Sequence, residues 1–468
     1  MNDVANAHRL RQLLVALVLL LTFEGILRKA SPSELRVPLF LLKDVLVVGL
    51  AYYVVRMQMP PVLGSLYAAY GLLCFLMVPS ILMTTWHDPL LAIFGIKQYL
   101  LYPVVAFALF MGFKDSKRET VFTFFRWISL LVIPTTLLAF VQSRLPADNW
   151  MNMSVSGESM KNFSAEGELR VSSTFSFVAQ YCTFLNAEVF IVLIALYGSS
   201  KQKLWWKVVL LSLVPALVFS CFLTISRSAV AVNVAITLLA AVLVSLKFRV
   251  RNVINIFLFI GLLYVAVVAV SHFSPKAAAA YTAREDGKMI GFSSEMQERV
   301  FGSFFRTAKD KSMHTLFGNG LGIMSNGSDS FSNYAGTWRD RFWTETDFAT
   351  TLFEGGYYLV VVWYGFRLFV VLLTFAHFFK EITPDWSIPM GFCQAYVAVM
   401  GMFATLALQP PIAIWWWLGV GTMLLFSWKC TEPPEVDQKR EDEENKPPPP
   451  RKKIRGRSLY ADVIHSRK

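Results

Sequence analysis

Residues 205–246 read WWKVVLLSLVPALVFSCFLTISRSAVAVNVAITLLAAVLVSL. Two apolar runs, 205–223 and 228–246, flank a connection of only Thr224-Ile225-Ser226-Arg227. At 1.5 Å per residue, a helix of about twenty residues crosses roughly 30 Å of hydrocarbon, so the stretch reads as a helical hairpin in a membrane. The pattern recurs at 10–27, 37–56, 62–84, 90–112, 120–143, 174–198, 252–271, 347–379, 387–408 and 411–428, which makes about twelve spans. Composition agrees: 55% of residues are hydrophobic and 16% charged, and the mean hydropathy is +0.48, outside the range of a soluble domain. The expected fold class is an all-α polytopic membrane protein with about twelve transmembrane helices and a long helical outer loop. The first run follows Arg9 and Arg11 but exceeds a signal-peptide core and has no small-x-small cleavage site, so it is expected to stay as a helix.

Short-loop cations set the expected orientation. Lys114, Lys117 and Arg118, then Lys201, Lys203 and Lys207, then Lys247, Arg249 and Arg251, and finally Lys380 fall on one side of a twelve-helix threading. That side is read as cytoplasmic. The membrane core spans 1–428, with outer loops at 144–173 and 272–345. The segment 429–468, with eleven Lys or Arg, eight Asp or Glu and a four-proline run, reads as a disordered basic, Pro-rich cytoplasmic tail. A purely solubilising role for it competes with attraction to anionic headgroups. The five cysteines form no CxxC pair, and neither a disulfide nor a metal site is expected.

The interval from His272 to Glu345 is the longest polar stretch between apolar runs. It holds Arg299, Arg306 and Lys309, the turn Phe317-Gly318-Asn319-Gly320-Leu321-Gly322, the basic pair Arg339 and Arg341, and the closing Glu345-Thr346-Asp347. Arg299 and Arg306 share a helix face two turns apart, which a solvated face also explains. The glycine turn has the wrong spacing for a nucleotide loop and no βαβ unit around it. Its glycines let the backbone turn tightly beneath the helices or approach a sugar. Glu345 and Asp347 diverge on a helix, so only one can face a given site.

Arg28, Lys29, Arg36, Arg170 and Arg227 lie on the outer side, against the charge rule. Arg227, in its four-residue connection, needs an anion or must snorkel to headgroups. Arg170 precedes Val171-Ser172-Ser173-Thr174. Helix N-termini and guanidinium forks both suit phosphate, although helix capping also accounts for the hydroxyls. Glu24, Lys43, Asp44, Lys97 and Glu188 are ionisable groups inside apolar runs, read either as ion pairs fixing helix packing or as a proton or ion pathway. Glu354, ahead of Gly355-Gly356, is costly there unless paired. The sequons at Asn152, Asn162 and Asn326 would matter only in a eukaryotic host.

In order and topology, these motifs resemble those of the bacterial O-antigen ligase and O-antigen polymerase superfamily. Leu223–Ala229 is similar to that family's Ser-Arg-small signature, and Phe317–Gly322 with Glu354-Gly355-Gly356 to its glycine turn and Glu-x-Gly. Arg170 before Ser-Ser-Thr-Phe resembles its arginine ahead of Gly-Thr-Phe, and Arg299 its arginine before the glycine turn. Phe23-Glu24-Gly25, Leu27-Arg28-Lys29 and Leu42-Lys43-Asp44 resemble polymerase-like members. The resemblance covers the helical core and not the tail.

What the resemblance implies is metal-independent glycosyl transfer from an undecaprenyl-pyrophosphate-linked glycan at the outer face of a bacterial inner membrane, without a cofactor. Arg170, Arg227 and Arg299 would neutralise the leaving pyrophosphate, joined in substrate binding by Arg28 and Arg341. Glu345 would be the general base, with Asp347 as runner-up. The chain departs from ligases where they carry a His-Asn pair at the helix entrance: Glu345 stands there and no histidine is near. That tilts the expectation from a ligase towards a polymerase. The implied partners are the lipid-linked glycan, membrane lipid and a polysaccharide copolymerase or export protein, with no nucleic acid. A lipid-linked glycan flippase or transporter is the rival from another class; it would concentrate its ionisable groups near the midplane on broken helices.

Overall fold

The computed structural model describes residues 2–157, 164, 169–198, 203–246, 254, 260, 261, 268, 279, 316–325, 327–341, 346–383 and 386–431. The expected span 252–271 lies almost wholly outside them, as do Arg299, Glu345 and the tail beyond Thr431. The described chain is helical: α1 (Asn2–Ala30), α2 (Ser33–Val55), α3 (Gly64–His87), α4 (Pro89–Ile96), α5 (Val104–Phe113), α6 (Arg118–Ser129), α7 (Val132–Arg144), α8 (Val178–Tyr197), α9 (Leu204–Leu223), α10 (Arg227–Ser245), α11 (Asn333–Arg341), α12 (Asp347–Glu381), α13 (Ser387–Phe403) and α14 (Pro410–Thr431). Among the described residues nine helical spans are long and apolar enough to cross a membrane, α6 and α7 counting as one, and a tenth arises if α4 and α5, bent by 42°, are one. These are the properties of a polytopic membrane protein.

Three expected spans are interrupted, each for a local reason. Between α4 and α5 the chain opens into a π-helical turn, Lys97–Leu101; such turns widen the helix by one residue and often mark functional positions. In 120–143 a break at Leu130-Leu131 separates α6 from α7. In α12 the break is Gly356, at φ 64 and ψ −164, a conformation open to glycine. The expected span at 174–198 begins four residues late, because Ser172–Phe177 forms a strap of turns and bends before α8.

Helices α8 and α14 are buried almost end to end, whereas only 22% of the apolar window of α3 is. Trp415, Trp416 and Trp417 are all enclosed, and Gly421 lets α14 approach the Ala106 backbone of α5 so closely that a Cβ would lie 2.7 Å from the Ala106 carbonyl oxygen. The outer helices instead expose Phe75, Leu82, Trp86 and Val361, a surface that suits acyl chains and not water.

The loops sort to two ends of the bundle. At one, Arg11 donates to Ser116 Oγ (3.0 Å), Arg118 to the Gly198 carbonyl (3.1 Å) and Lys429 to the Lys114 carbonyl (2.6 Å). At the other, Lys29 at the far end of α1 donates to the Met151 carbonyl and Ser172 Oγ (3.1 and 3.0 Å). The short-loop cations among these residues thus gather at a single end.

Most charges inside the bundle are paired, across helices or within one; Glu188 of α8 is an exception, fully buried with no hydrogen bond to either carboxylate oxygen among the described residues. Lys43 of α2 meets Glu24 of α1 at 3.3 Å, and Lys97 of the π turn meets Asp44 of α2 at 3.0 Å. Arg367, midway along α12, holds Asp347 Oδ2 at 2.6 Å and donates to the Gly401 and Ala404 carbonyls (2.8 and 3.0 Å). Breaking such a pair by removing one partner typically costs about 3–5 kcal/mol, because the other charge stays buried. Arg367→Met is therefore expected to lower the apparent melting temperature of the detergent-solubilised protein sharply, and Arg367→Met with Asp347→Leu to recover part of the loss. Equal melting of Arg367→Met and the unaltered protein would show that the pair contributes nothing.

Candidate functional site

The strap Arg170–Phe177 brings the motifs at 23–25 and 27–29 to the corner 223–229, and ion pairs and the π turn extend these contacts to Asp44 and Glu354. At the centre of the strap Ser173 sits at φ 52, a strained conformation for a residue with a Cβ, and four hydrogen bonds hold it there. Its N–H donates to Gln142 Oε1 (2.7 Å) and its carbonyl accepts from Gln142 Nε2 (2.9 Å). Its hydroxyl donates to the Thr135 carbonyl (2.6 Å), and the Ser172 carbonyl accepts from the Phe175 N–H across the bend (3.0 Å). The strap also packs on α1: Ile26 N–H donates to the Thr174 carbonyl (2.7 Å), and a Cβ on Gly25 would lie 2.0 Å from the Phe175 carbonyl carbon. Glycine at 25 is a requirement of this contact. The strap hydroxyls do not cap α8, whose N-cap is Phe177 with no side-chain bond.

One edge of the strap faces the corner 224–227. Arg170 Nε donates to the Thr224 carbonyl (3.3 Å). The Thr224 hydroxyl donates to the Cys221 carbonyl (2.7 Å) and accepts from Ser226 N–H (3.2 Å), which lets Ile225 adopt φ 49. A β-branched residue there is an outlier of the kind that collects at functional sites. Arg227 follows as the first residue of α10 and is half-buried. The other edge faces Arg28, whose Nη1 lies 3.4 Å from Ser176 Oγ and 3.1 Å from Glu24 Oε1.

From Glu24 the contacts continue to Lys43 and, on the same helix, to Asp44. Asp44 receives both ends of the π turn: the Lys97 ammonium and the Tyr102 hydroxyl (2.8 Å). Residues 97 and 102 are five apart, which is the hydrogen-bond interval of a π-helix. The intervening Gln98 and Tyr99 turn the other way and donate to Glu354 Oε2, each at 2.8 Å. Glu354 Oε1 accepts from Met324 N–H (2.8 Å), so this fully buried carboxylate has donors on both oxygens.

The glycine turn explains itself at Glu354. Because Gly356 breaks α12, Phe353 and Glu354 carbonyls are freed and accept from Asn319 and Gly320 N–H (3.0 and 2.9 Å), while Tyr358 N–H donates to the Leu316 carbonyl (3.1 Å). Backbone groups that would have bonded within the helix are exchanged with the turn. Close approach demands glycine: a Cβ on Gly318, at φ 72, would lie 2.5 Å from the Glu354 carbonyl, and one on Gly322, at φ 79, 2.6 Å from Gly95 N. Of the two uses that the sequence allowed for these glycines, the tight turn is the one present.

The site residues expected from sequence fall into three groups. Arg28, Arg170 and Arg227 lie along the strap. Arg299 and Glu345 fall outside the described residues, and Arg341 belongs to α11, where Arg339 pairs with Asp329 at 3.0 Å. Asp347 needs correcting as a candidate base. Its Oδ2 accepts from Arg367, its Oδ1 accepts from Ala407 and Leu408 N–H (2.7 and 3.2 Å), and the side chain is 5% exposed. It clamps the connection between α13 and α14 onto α12. Asn152 is likewise buried, its Nδ2 donating to the Gln142 and Pro146 carbonyls (both 3.0 Å), and is a poor glycan acceptor.

Sequence reading passed over Gln98, Tyr99, Tyr102, Gln142 and Arg367. The polar triplet Lys97-Gln98-Tyr99 interrupts an apolar run and Arg367 stands alone in one, so both carried a signal. Gln142, near a helix end, carried none. No protein-family model matches the chain, no curated protein matches it, and no solved structure matches its fold.

Gly318→Ala forces a Cβ into the Glu354 backbone at a positive φ. A cost of about 1–3 kcal/mol is expected, seen as earlier proteolysis of the 316–325 segment and a lower melting temperature. Gly336→Ala, with open space at its Cβ position, should leave both unchanged. Comparable behaviour of the two variants would mean that the turn does not pack as described.

Proposed function

We propose that the protein is a membrane glycosyltransferase that polymerises undecaprenyl-pyrophosphate-linked oligosaccharide units into an O-antigen or exopolysaccharide. One observation carries this reading. The motifs that resemble the O-antigen ligase and polymerase superfamily lie far apart in sequence, yet those within the described residues join in a polar band from the Thr224 corner, which Arg227 follows, through Arg170 and the strap, Arg28, Glu24, Lys43, Asp44 and the π turn to Glu354. Packing alone gives no reason for these motifs to converge.

In the proposed reaction the acceptor hydroxyl oxygen attacks the anomeric carbon of the donor sugar. The bond from that carbon to the pyrophosphate oxygen breaks, and the electron pair leaves with the pyrophosphate. Arg170 and Arg227, with Arg299 by analogy, neutralise the charge that develops there, since fixed donors at a leaving group lower the barrier most. The proton goes to Glu345, two residues ahead of α12 and next to the helix end that the Asp347 clamp immobilises. The lipid-linked substrate places the site at the outer face of a bacterial inner membrane, with the basic end of the bundle cytoplasmic. A copolymerase or export protein is the partner such a reaction requires.

Ligation to another acceptor remains the second reading, favoured by the same arginines. A flippase is the reading of another class: Lys97 and Glu354 do stand at the breaks of α4–α5 and α12, although ion pairs cross-link α1, α2 and the π turn. The lipid-linked species that accumulates in cells lacking the protein separates polymerisation from ligation. Single repeat units support polymerisation, full-length undecaprenyl-linked polymer supports ligation, and unchanged lipid-linked glycan sinks both.

Arg227→Lys keeps the charge but loses the bidentate fork, so most activity should be lost from a protein that still inserts. Near-normal polymer length would return Arg227 to a headgroup anchor. Glu345→Gln should reduce transfer by roughly 10²-fold or more; full activity would remove it as the base. For orientation, Thr337, exposed on α11, should react as a cysteine with an impermeant maleimide from the outer face in a cysteine-free background. Reaction from the cytoplasmic face alone would invert the topology.

A further inference from the structure

The end of α1 and the π turn gather more positive charge than the described residues balance. Arg28, Lys29, Lys43 and Lys97 stand against two carboxylates, Glu24 and Asp44. Of the further carboxylates, Glu354 bonds the π turn through Gln98 and Tyr99 and the exposed Glu34 lies beside another cation, Arg36, so with Glu354 counted the four cations still outnumber their carboxylates by one. Three of the cations converge on one ring: Lys43 Nζ, Lys97 Nζ and the Arg28 guanidinium lie 3.5, 4.8 and 4.9 Å from the centre of Phe40. Lys97 is nine-tenths buried, yet its ammonium finds no hydrogen-bond acceptor among the described residues. It faces Asp44 as a charge only. Lys29 reaches a carbonyl and a hydroxyl instead of a carboxylate.

Ion pairing for its own sake would leave this cluster neutral, since a surplus of buried cations is costly in an apolar bundle. The surplus opens towards the strap, where Ser172 and Ser176 offer hydroxyls to the same two side chains, Lys29 and Arg28. Phosphate oxygens match such a set of ammonium, guanidinium and hydroxyl donors. The strap separates this cluster from Arg170, which bonds the Thr224 carbonyl at the other edge, three residues ahead of Arg227.

We propose that Arg28 and Lys29, with Ser172 and Ser176 and backed by Lys43 and Lys97, form a second phosphate-binding locus, which holds the phosphoryl head of a lipid-borne acceptor while Arg170 and Arg227 hold the donor. This rests on the glycosyl-transfer reading and sharpens it. Transfer between two lipid-linked glycans needs two such loci side by side, whereas transfer to an acceptor without a lipid pyrophosphate needs one.

The test counts lipids. The full-length protein in nanodiscs of neutral lipid is titrated with undecaprenyl pyrophosphate, and bound copies are counted by native mass spectrometry. Two are expected for the unaltered protein and one each for Arg28→Gln with Lys29→Gln and for Arg170→Gln with Arg227→Gln. Arg28→Lys with Lys29→Arg should restore the second copy. Should the neutral pair prove unstable, Lys29→Gln alone, at the helix end, should weaken the second copy at least tenfold. One copy on the unaltered protein, kept by the Arg28 and Lys29 pair, overturns this proposal and leaves the donor site standing. No bound copy overturns both. Displacement of the second copy by excess phosphatidylglycerol, with the first retained, makes the locus a general anionic-lipid anchor and also overturns it.

Discussion

A polar group taken into an apolar bundle must bring its partners, because hydrocarbon supplies none. The π turn Lys97–Leu101 is where this protein meets that demand for two networks at once. One extra residue in the helical turn sends Lys97 and, with the residue that follows the turn, Tyr102 towards Asp44, and Gln98 and Tyr99 towards Glu354. An ordinary helix would turn successive side chains by about 100° and would not pair positions five apart. The buried acids of α2 and α12 thus depend on one local irregularity between α4 and α5.

Backbone groups obey the same rule as side chains. Gly356 frees two carbonyls of α12 and the turn 316–320 supplies the N–H groups that satisfy them. Ser173 and Ile225 hold positive φ values that cost of order 1–3 kcal/mol each, and Gln142 and Thr224 bond the neighbouring backbone. The two strained residues precede or follow the two arginines of the strap and corner by three and two positions. Strain is therefore concentrated beside these two arginines, where a rigid arrangement of cations would serve the proposed transfer.

Helical class and most span positions were legible because hydropathy and length act residue by residue: 205–223 and 228–246 correspond closely to α9 and α10. Breaks were less so. Nothing in Leu130-Leu131 announces an interruption, and Lys97-Gln98-Tyr99 shows polarity without showing a π turn. The strap was mistaken for the start of a helix because Ser172-Ser173-Thr174 has capping chemistry, which tertiary bonds to Lys29, Gln142 and Thr135 redirected. Asp347 looked like a base because it stands at a helix entrance beside Glu345; its partner Arg367 lies twenty residues away, at a distance that only the folded helix and its neighbours resolve.

The two clamps on α12 differ in what they fix, and the difference bears on mechanism. Glu354 fastens the break in the helix to the 316–325 segment through Met324 N–H and to the π turn through Gln98 and Tyr99. Asp347 fastens the first turn of α12 to the α13–α14 connection through two backbone amides. Between them, residues 347–356 are held at both ends. The proposed base, Glu345, lies two residues ahead of this fixed helix in sequence. Asp347 contributes to such chemistry by staying occupied: its charge is spent on Arg367, and the geometry it imposes is what a neighbouring carboxylate needs.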